Sequence, residues 1–210
     1  PVPSVDSFCD LGISYDNTLN FHPHIVNIVA KAQRCSNFIL RSFLSRDPLL
    51  LTRLFLIYVV PIVSHCSIIW SPHTVSDIAL LESVQRNFTR AVFRRIGRIG
   101  ASYEERLSFL SLPSLELRRR AVDLNYTSKI VKAYSVFDPR LFFCIDSHNH
   151  RTRSHSLQIK SNHFFTSNKH SHCFVNRVTS CWNLLPLSII ESPGPIPLSF
   201  ILSYPTKVFL

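Results

Sequence analysis

The chain has 210 residues, 46% hydrophobic and 17% charged, which supplies a buried core and excludes both a disordered tail and a highly charged coiled coil. Four glycines in all disfavour an enzyme built on a Gly-rich phosphate loop. Lys and Arg number 23 against 13 Asp and Glu, and the resulting formal charge of +10 points to a polyanionic partner, nucleic acid first.

No Met occurs at any position, so the chain reads as a piece of a longer translation. Cys9, Cys35, Cys66, Cys144, Cys173 and Cys181 form no C-x-x-C pair and follow no signal-peptide pattern, which predicts reduced, buried thiols. The longest apolar run, from Leu54 to Val63, is about half of the ~20 residues a bilayer span needs, so no membrane helix is expected.

In chain order, residues 1–16 carry two early prolines and an apolar run around Phe8 to Ile13 interrupted by Gly12, which fits a strand or hairpin. From Phe21 to about Phe43 the period becomes helical: Ile25, Ile28, Val29, Ala32 and Ile39 make one side, with Lys31, Arg34 and Arg41 between them. Asp47-Pro48 starts a second helix, since the Asp oxygen accepts an orphan N–H and Pro at the first position loses no bond. Leu49, Leu50, Leu51, Leu54, Phe55, Ile57 and Tyr58 make it apolar almost all round, so it is expected to be the central buried member. Pro61 should kink it or split it from Ile62 to Trp70 before the break at Ser71-Pro72.

Ser76 or Asp77 is the expected cap of a third helix ending near Arg95, with Gly97 and Gly100 as stop signals. At about 100° per residue, Ile78, Leu81, Val84, Phe88 and Val92 share an apolar arc, and Arg86, Arg90 and Arg94 form a stripe nearly opposite. A short helical turn follows from Tyr103 to Leu110. Pro113-Ser114 then restarts a helix through about Tyr134, carrying Arg118, Arg119, Arg120, Lys129 and Lys132, and Asp138-Pro139 ends it. The three successive arginines point in three directions, so at most two share a surface and one pairs with Glu116 or Asp123.

Beyond a boundary near residue 137 the texture turns to Ser, Asn, His, Phe and Pro, and Phe174 to Leu184 is the one further helix expected. The positive excess is central: residues 81–160 hold 15 basic against 7 acidic side chains, while residues 1–80 hold 5 of each.

The succession DLGISYDNTLNFHPHI, the KA of the first helix, SRDPLLLTRLFLIYVVPIVSHCSIIWSP, DIALLESVQRNFTRAVF, YEERLSFLSLPSLELRRRAVDL, TRSH and FVNRVTSCWNLLP resembles the C-terminal third of non-LTR (LINE-type, jockey-like) retrotransposon reverse transcriptases over about residues 8–190. The resemblance implies a primer-grip-like hairpin at residues 1–16, with Asp10, Leu11 and Gly12 at its heart. It further implies a helical thumb and extension over residues 17–136 and a partly irregular C-terminal extension over residues 137–210. The partners it implies are an RNA template, a DNA primer and their hybrid duplex, together with upstream palm, fingers and endonuclease domains. The nucleic-acid contacts would come from Arg86, Arg90, Arg94, Arg98, Arg118, Arg119, Lys129, Lys132, Arg151 and Arg153.

Polymerisation needs paired carboxylates holding magnesium, and the chain has no Asp-Asp pair. The resemblance implies that the catalytic motif and its magnesium lie upstream in the parent's palm, so no cofactor is expected here and the piece alone should not polymerise DNA. The alternative is a domesticated or degenerate helical module that binds nucleic acid weakly or serves as a scaffold.

Cys144, His148, His150, His155, His163, His170, His172, Cys173 and Cys181 lack the paired spacings of a structural zinc site, so no metal site is expected. No G-x-S-x-G elbow suggests a hydrolase. Phe164, Phe165, Phe174 and Trp182 suit core packing better than base stacking, because little charge surrounds Trp182. The expected fold is mainly α, a helical bundle preceded by a short β-hairpin, with a poorly packed C-terminal extension.

Overall fold

Ser7–Asp10 (β1) pairs antiparallel with Ile13–Asp16 (β2), and the two residues between them, Leu11 and Gly12, take φ of 47° and 84°. Two consecutive left-handed residues are what a two-residue type I′ hairpin turn requires, and glycine supplies one without steric cost. Phe8 stacks on Tyr15 across the pair with centroids 5.0 Å apart, and Ile13 turns into the core. Asp16 Oδ1 then accepts from the N–H groups of Thr18 at 2.9 Å and Asn20 at 2.7 Å, shaping the turn into the first helix.

The computed structural model describes residues 6–132, 138–144, 157–160, 172–192, 194–197 and 200–201. They are mainly helical behind the hairpin, the architecture expected. The chain forms two compact units, Pro1–Glu116 and Leu117–Leu210. The boundary expected near residue 137 lies outside the described residues.

In the first unit, α1 (His22–Ser42) buries Ile25, Val29, Ala32 and Ile39, as the periodicity predicts. Asp47 caps α2 (Pro48–Leu54) by accepting from the Leu49 N–H at 2.9 Å. Pro61 lies in the first turn of the segment that follows an irregularity in the second helix. The backbone widens into a π turn over Phe55–Val59, where the Val60 N–H reaches the Phe55 carbonyl, and continues as α3 (Val60–Ser64). The break comes at Cys66, whose φ is 50°, before α4 (Ser67–Trp70).

This helical run is not the fully buried member that its composition suggests. Leu51, Phe55, Val59 and Val63 are buried, whereas Leu49, Leu50, Ile57 and Tyr58 are exposed, because α1 and the long α5 (Val75–Arg95) cover only one side. Phe55 stacks on Phe88 of α5 with centroids 4.4 Å apart; burying each such ring stabilises the fold by about 1.5–3 kcal/mol. The cap of α5 is Thr74, two residues before Ser76 and three before Asp77, the two expected: its hydroxyl accepts from the Asp77 N–H at 3.3 Å and donates to Asp77 Oδ2 at 2.7 Å. Asp77 Oδ1 also meets His22 Nδ1 at 2.5 Å, joining the starts of α1 and α5.

α6 (Tyr103–Phe109) opens on a capping box in which Ser102 and Glu105 bond each other's backbone N–H. α7 (Leu115–Val131) follows.

In the second unit the expectation of a poorly packed extension is corrected for the described residues, which share a core. Trp182 and Val178 of α8 (Phe174–Asn183) and Ile190 of α9 (Leu187–Ile190) share a core with Leu117, Leu124 and Ile130 of α7. Their apolar side chains bury together, and Trp182 Nε1 donates to the Leu157 carbonyl at 2.9 Å. Phe174 packs edge-on against Tyr126 and Phe143, while Phe164 and Phe165 lie outside the described residues. Asp138 begins a one-turn 3₁₀ segment, Pro139–Leu141. All six cysteines are free; Cys181 is buried, but Cys9, Cys66 and Cys144 are exposed, correcting the expectation of buried thiols. Cys9 lies on the uncovered hairpin and Cys66 in the helix break.

Candidate nucleic-acid interface

Three stripes run along α5. Leu81, Val84, Phe88 and Val92 enter the apolar core. Glu82, Gln85, Thr89 and Phe93 form a second buried stripe, largely polar and covered by α6. Arg86, Arg90 and Arg94 occupy the remaining arc and are exposed, the placement that the helical wheel predicts.

The helix end adds a fourth arginine. Gly97 takes φ of 77°, which lets the Arg98 N–H fold back to the Phe93 carbonyl at 3.0 Å and brings Arg98 beside the last turn. Arg86 lies over the Tyr103 ring at 4.9 Å and Arg98 over the Phe109 ring at 4.6 Å, contacts that hold two guanidinium groups without neutralising them. Among the described residues no carboxylate pairs with Arg86, Arg90, Arg94 or Arg98.

The buried polar stripe fixes α6 against α5. Glu82 accepts from the Tyr103 hydroxyl and from the Leu115 N–H, at 3.2 and 3.1 Å to its two oxygens, and so anchors the start of α7. Gln85 Nε2 donates to the Tyr103 hydroxyl at 3.2 Å and to the Pro113 carbonyl at 2.8 Å. Burial, reinforced by the Glu82 hydrogen bond and charge, holds the Tyr103 phenol far above its usual pKa, so it remains a donor.

Between α5 and α6 lies a cleft of about 360 Å³ lined by Arg90, Phe93, Arg94, Arg98, Ile99, Gly100, Ala101 and Arg106. Arg106 is only 7% exposed; its Nε donates to Thr89 Oγ1 at 3.2 Å and its Nη1 to the Ala101 carbonyl at 2.7 Å. Sequence reasoning missed this residue, because the approach of α6 to α5 is set by a two-glycine turn that periodicity does not describe.

The other predicted contacts fare differently. Arg119 is 3% exposed and Arg118 half-buried, its pKa lowered by desolvation and its Nε buried without a partner. Both are therefore corrected out of the candidate surface: successive residues on α7 point about 100° apart, and the packed sides of that helix take these two. Lys129 is exposed, and Lys132 donates to the Ser192 carbonyl at 2.8 Å. Arg151 and Arg153 lie outside the described residues, as do His148, His150, His155, His163 and His170.

Asp123 receives a forked bond from Arg177, 2.8 Å from Nε and 3.0 Å from Nη2, and the nearby charges of Arg119 and Arg120, in the run expected to supply a partner, also favour its ionised form. Burial nevertheless keeps the Asp123 carboxyl above the usual range, against the pull of Arg177. Asp10, Leu11 and Gly12 form the hairpin tip and are exposed, with His65 Nε2 3.1 Å from the Leu11 carbonyl. Among the described residues no group of three or more His, Cys, Asp or Glu could hold a metal ion, and no helix is long and apolar enough to cross a membrane.

A Caenorhabditis elegans protein described as uncharacterized protein B0403.1 is 29% identical over 110 residues, 52% of this chain and 56% of that relative. The chain thus matches about half the length of this relative. No protein-family model and no solved structure matches the chain.

Proposed function

We propose that this chain is a gripping element of a retrotransposon-type RNA-directed DNA polymerase, holding the backbone of a template–primer hybrid without catalysing bond formation itself. The observation that carries the reading is the outward row of Arg86, Arg90, Arg94 and Arg98, which has no acid partner among the described residues. A guanidinium pairs with phosphate oxygens through two parallel N–H donors, and such contacts position a strand without reading its sequence. Successive arginines of Arg86, Arg90 and Arg94 stand about 6 Å apart along the helix, so the three can meet separate phosphates of one strand. In this role the Leu11–Gly12 tip acts as the primer-side hairpin. Bond formation, with its magnesium and paired aspartates, belongs to a palm in a parent chain, joined by fingers and an endonuclease domain.

The test is direct binding of the purified chain to labelled RNA–DNA hybrids of unrelated sequence, read by fluorescence anisotropy. Binding with a Kd of about 10⁻⁴ to 10⁻⁶ M, indifferent to sequence, is expected. Absence of binding at low ionic strength contradicts the proposal and leaves the degenerate scaffold as the remaining reading.

A further inference from the structure

Arg90, Arg94, Arg98 and Arg106 converge on one concave site whose lining contains no acid. We propose that this cleft seats the terminal 5′-phosphate of a nucleic-acid strand, a phosphomonoester rather than an internal phosphodiester. The choice of a strand end rests on the proposed nucleic-acid function, whereas the anion site rests on the cleft alone.

Depth is the first reason. Arg106 is more than nine-tenths buried and is braced from behind by Thr89, Ala101 and the Tyr103 ring, 5.6 Å from its guanidinium carbon. Those contacts use Nε and Nη1 and leave Nη2 without a protein acceptor among the described residues. A buried cation ordinarily has an anionic partner, and here no carboxylate supplies one. Charge is the second reason. A phosphomonoester carries about −1.5 to −2, whereas an internal phosphodiester carries one negative charge to set against four guanidinium groups.

Shape is the third reason. An internal phosphate arrives with a sugar on either side and meets the exposed row more readily than a recessed floor, while a strand end projects its phosphate forward. Ile99, 87% exposed between Gly97 and Gly100, offers apolar surface for the terminal sugar and base.

The test compares one RNA–DNA hybrid in two forms, with a protruding DNA strand that ends in a 5′-phosphate or a 5′-hydroxyl and a fluorophore on the other strand. The phosphorylated form is expected to bind about tenfold tighter, the order of one good charge-assisted contact. Arg106→Leu removes that gain, and Arg98→Ala, at an exposed position, reduces it severalfold. If Arg106→Leu does not fold, Arg98→Ala and Arg90→Ala carry the test: loss of the gain in either supports the inference, and its full retention in both overturns it. Equal binding of the two forms by the unaltered chain overturns the terminal-phosphate inference while the backbone reading stands. Failure of both forms to bind overturns both.

Discussion

The guanidinium of Arg95 donates to the Phe43 carbonyl at 2.5 Å and also reaches the carbonyls of Leu40 and Ser45, closing the end of α1 from a neighbouring helix. Those carbonyls have no partners within α1, and a cation there also complements the helix dipole. Arg94, one residue earlier, points to solvent. Arg95→Ala is therefore expected to lower stability by about 1–2 kcal/mol with hybrid affinity unchanged, and Arg94→Ala to weaken binding with stability unchanged. Denaturant unfolding and anisotropy on the two variants check the separation; equal effects on both readouts contradict it.

Tyr103→Phe should cost about 1–3 kcal/mol, because the Glu82 carboxylate stays buried and loses its hydroxyl donor. Since burial and Glu82 hold the phenol far above the usual range, Tyr103 also resists ionisation in alkali that converts exposed tyrosines. Spectroscopic titration of the folded chain and of the Tyr103→Phe variant should count the same number of phenolates. One additional phenolate in the unaltered chain contradicts the placement.

His24 accepts from the Ser14 N–H through Nδ1 at 3.4 Å and packs edge-on against Trp70, so it ties β2 to α1 in its neutral form. Burial first, and the charge of His65 second, hold its pKa below the ordinary 6.5. As pH falls, the unfolded chain takes up this proton before the folded one. Its contribution to stability is thus fully present above pH 6.5 and declines below it, by up to about 1.4 kcal/mol per pH unit until the folded pKa is reached. Denaturant midpoints measured from about pH 7 to 5 should flatten in His24→Asn, whose carbonyl oxygen can replace Nδ1 as acceptor. An unchanged slope contradicts this assignment.

In the second unit, Arg177→Leu strands the Asp123 carboxylate in a buried setting and is expected to cost about 3–5 kcal/mol. Adding Asp123→Asn should recover part of that loss, because the buried charge that lost its forked donor is then gone. Thermal unfolding of the single and double variants decides it; no recovery in the double variant contradicts the role given to the pair.

Periodicity and caps carried the hairpin, α1, α5, α7 and α8 from sequence to within a few residues, since each has a strong apolar stripe or a local end signal. The outward face of α5 was legible for the same reason: Arg86, Arg90 and Arg94 recur once per turn opposite Leu81, Phe88 and Val92. What escaped depends on approach between elements. Leu51 and Ile57 look alike in a greasy helix, and only the neighbours on one side decide that Leu51 is buried and Ile57 exposed. Arg95 and Arg106 read as two more cations in a basic stretch, yet one closes α1 and the other floors a cleft.

The most direct measurement is the salt dependence of hybrid binding for the unaltered chain and for a variant carrying Arg86→Ala, Arg90→Ala and Arg94→Ala. If each arginine meets one phosphate, the slope of log affinity against log salt concentration becomes shallower by about 2.7 in the variant, at about 0.9 per contact. An unchanged slope, with the fold intact by circular dichroism, contradicts the claim that this stripe grips the backbone.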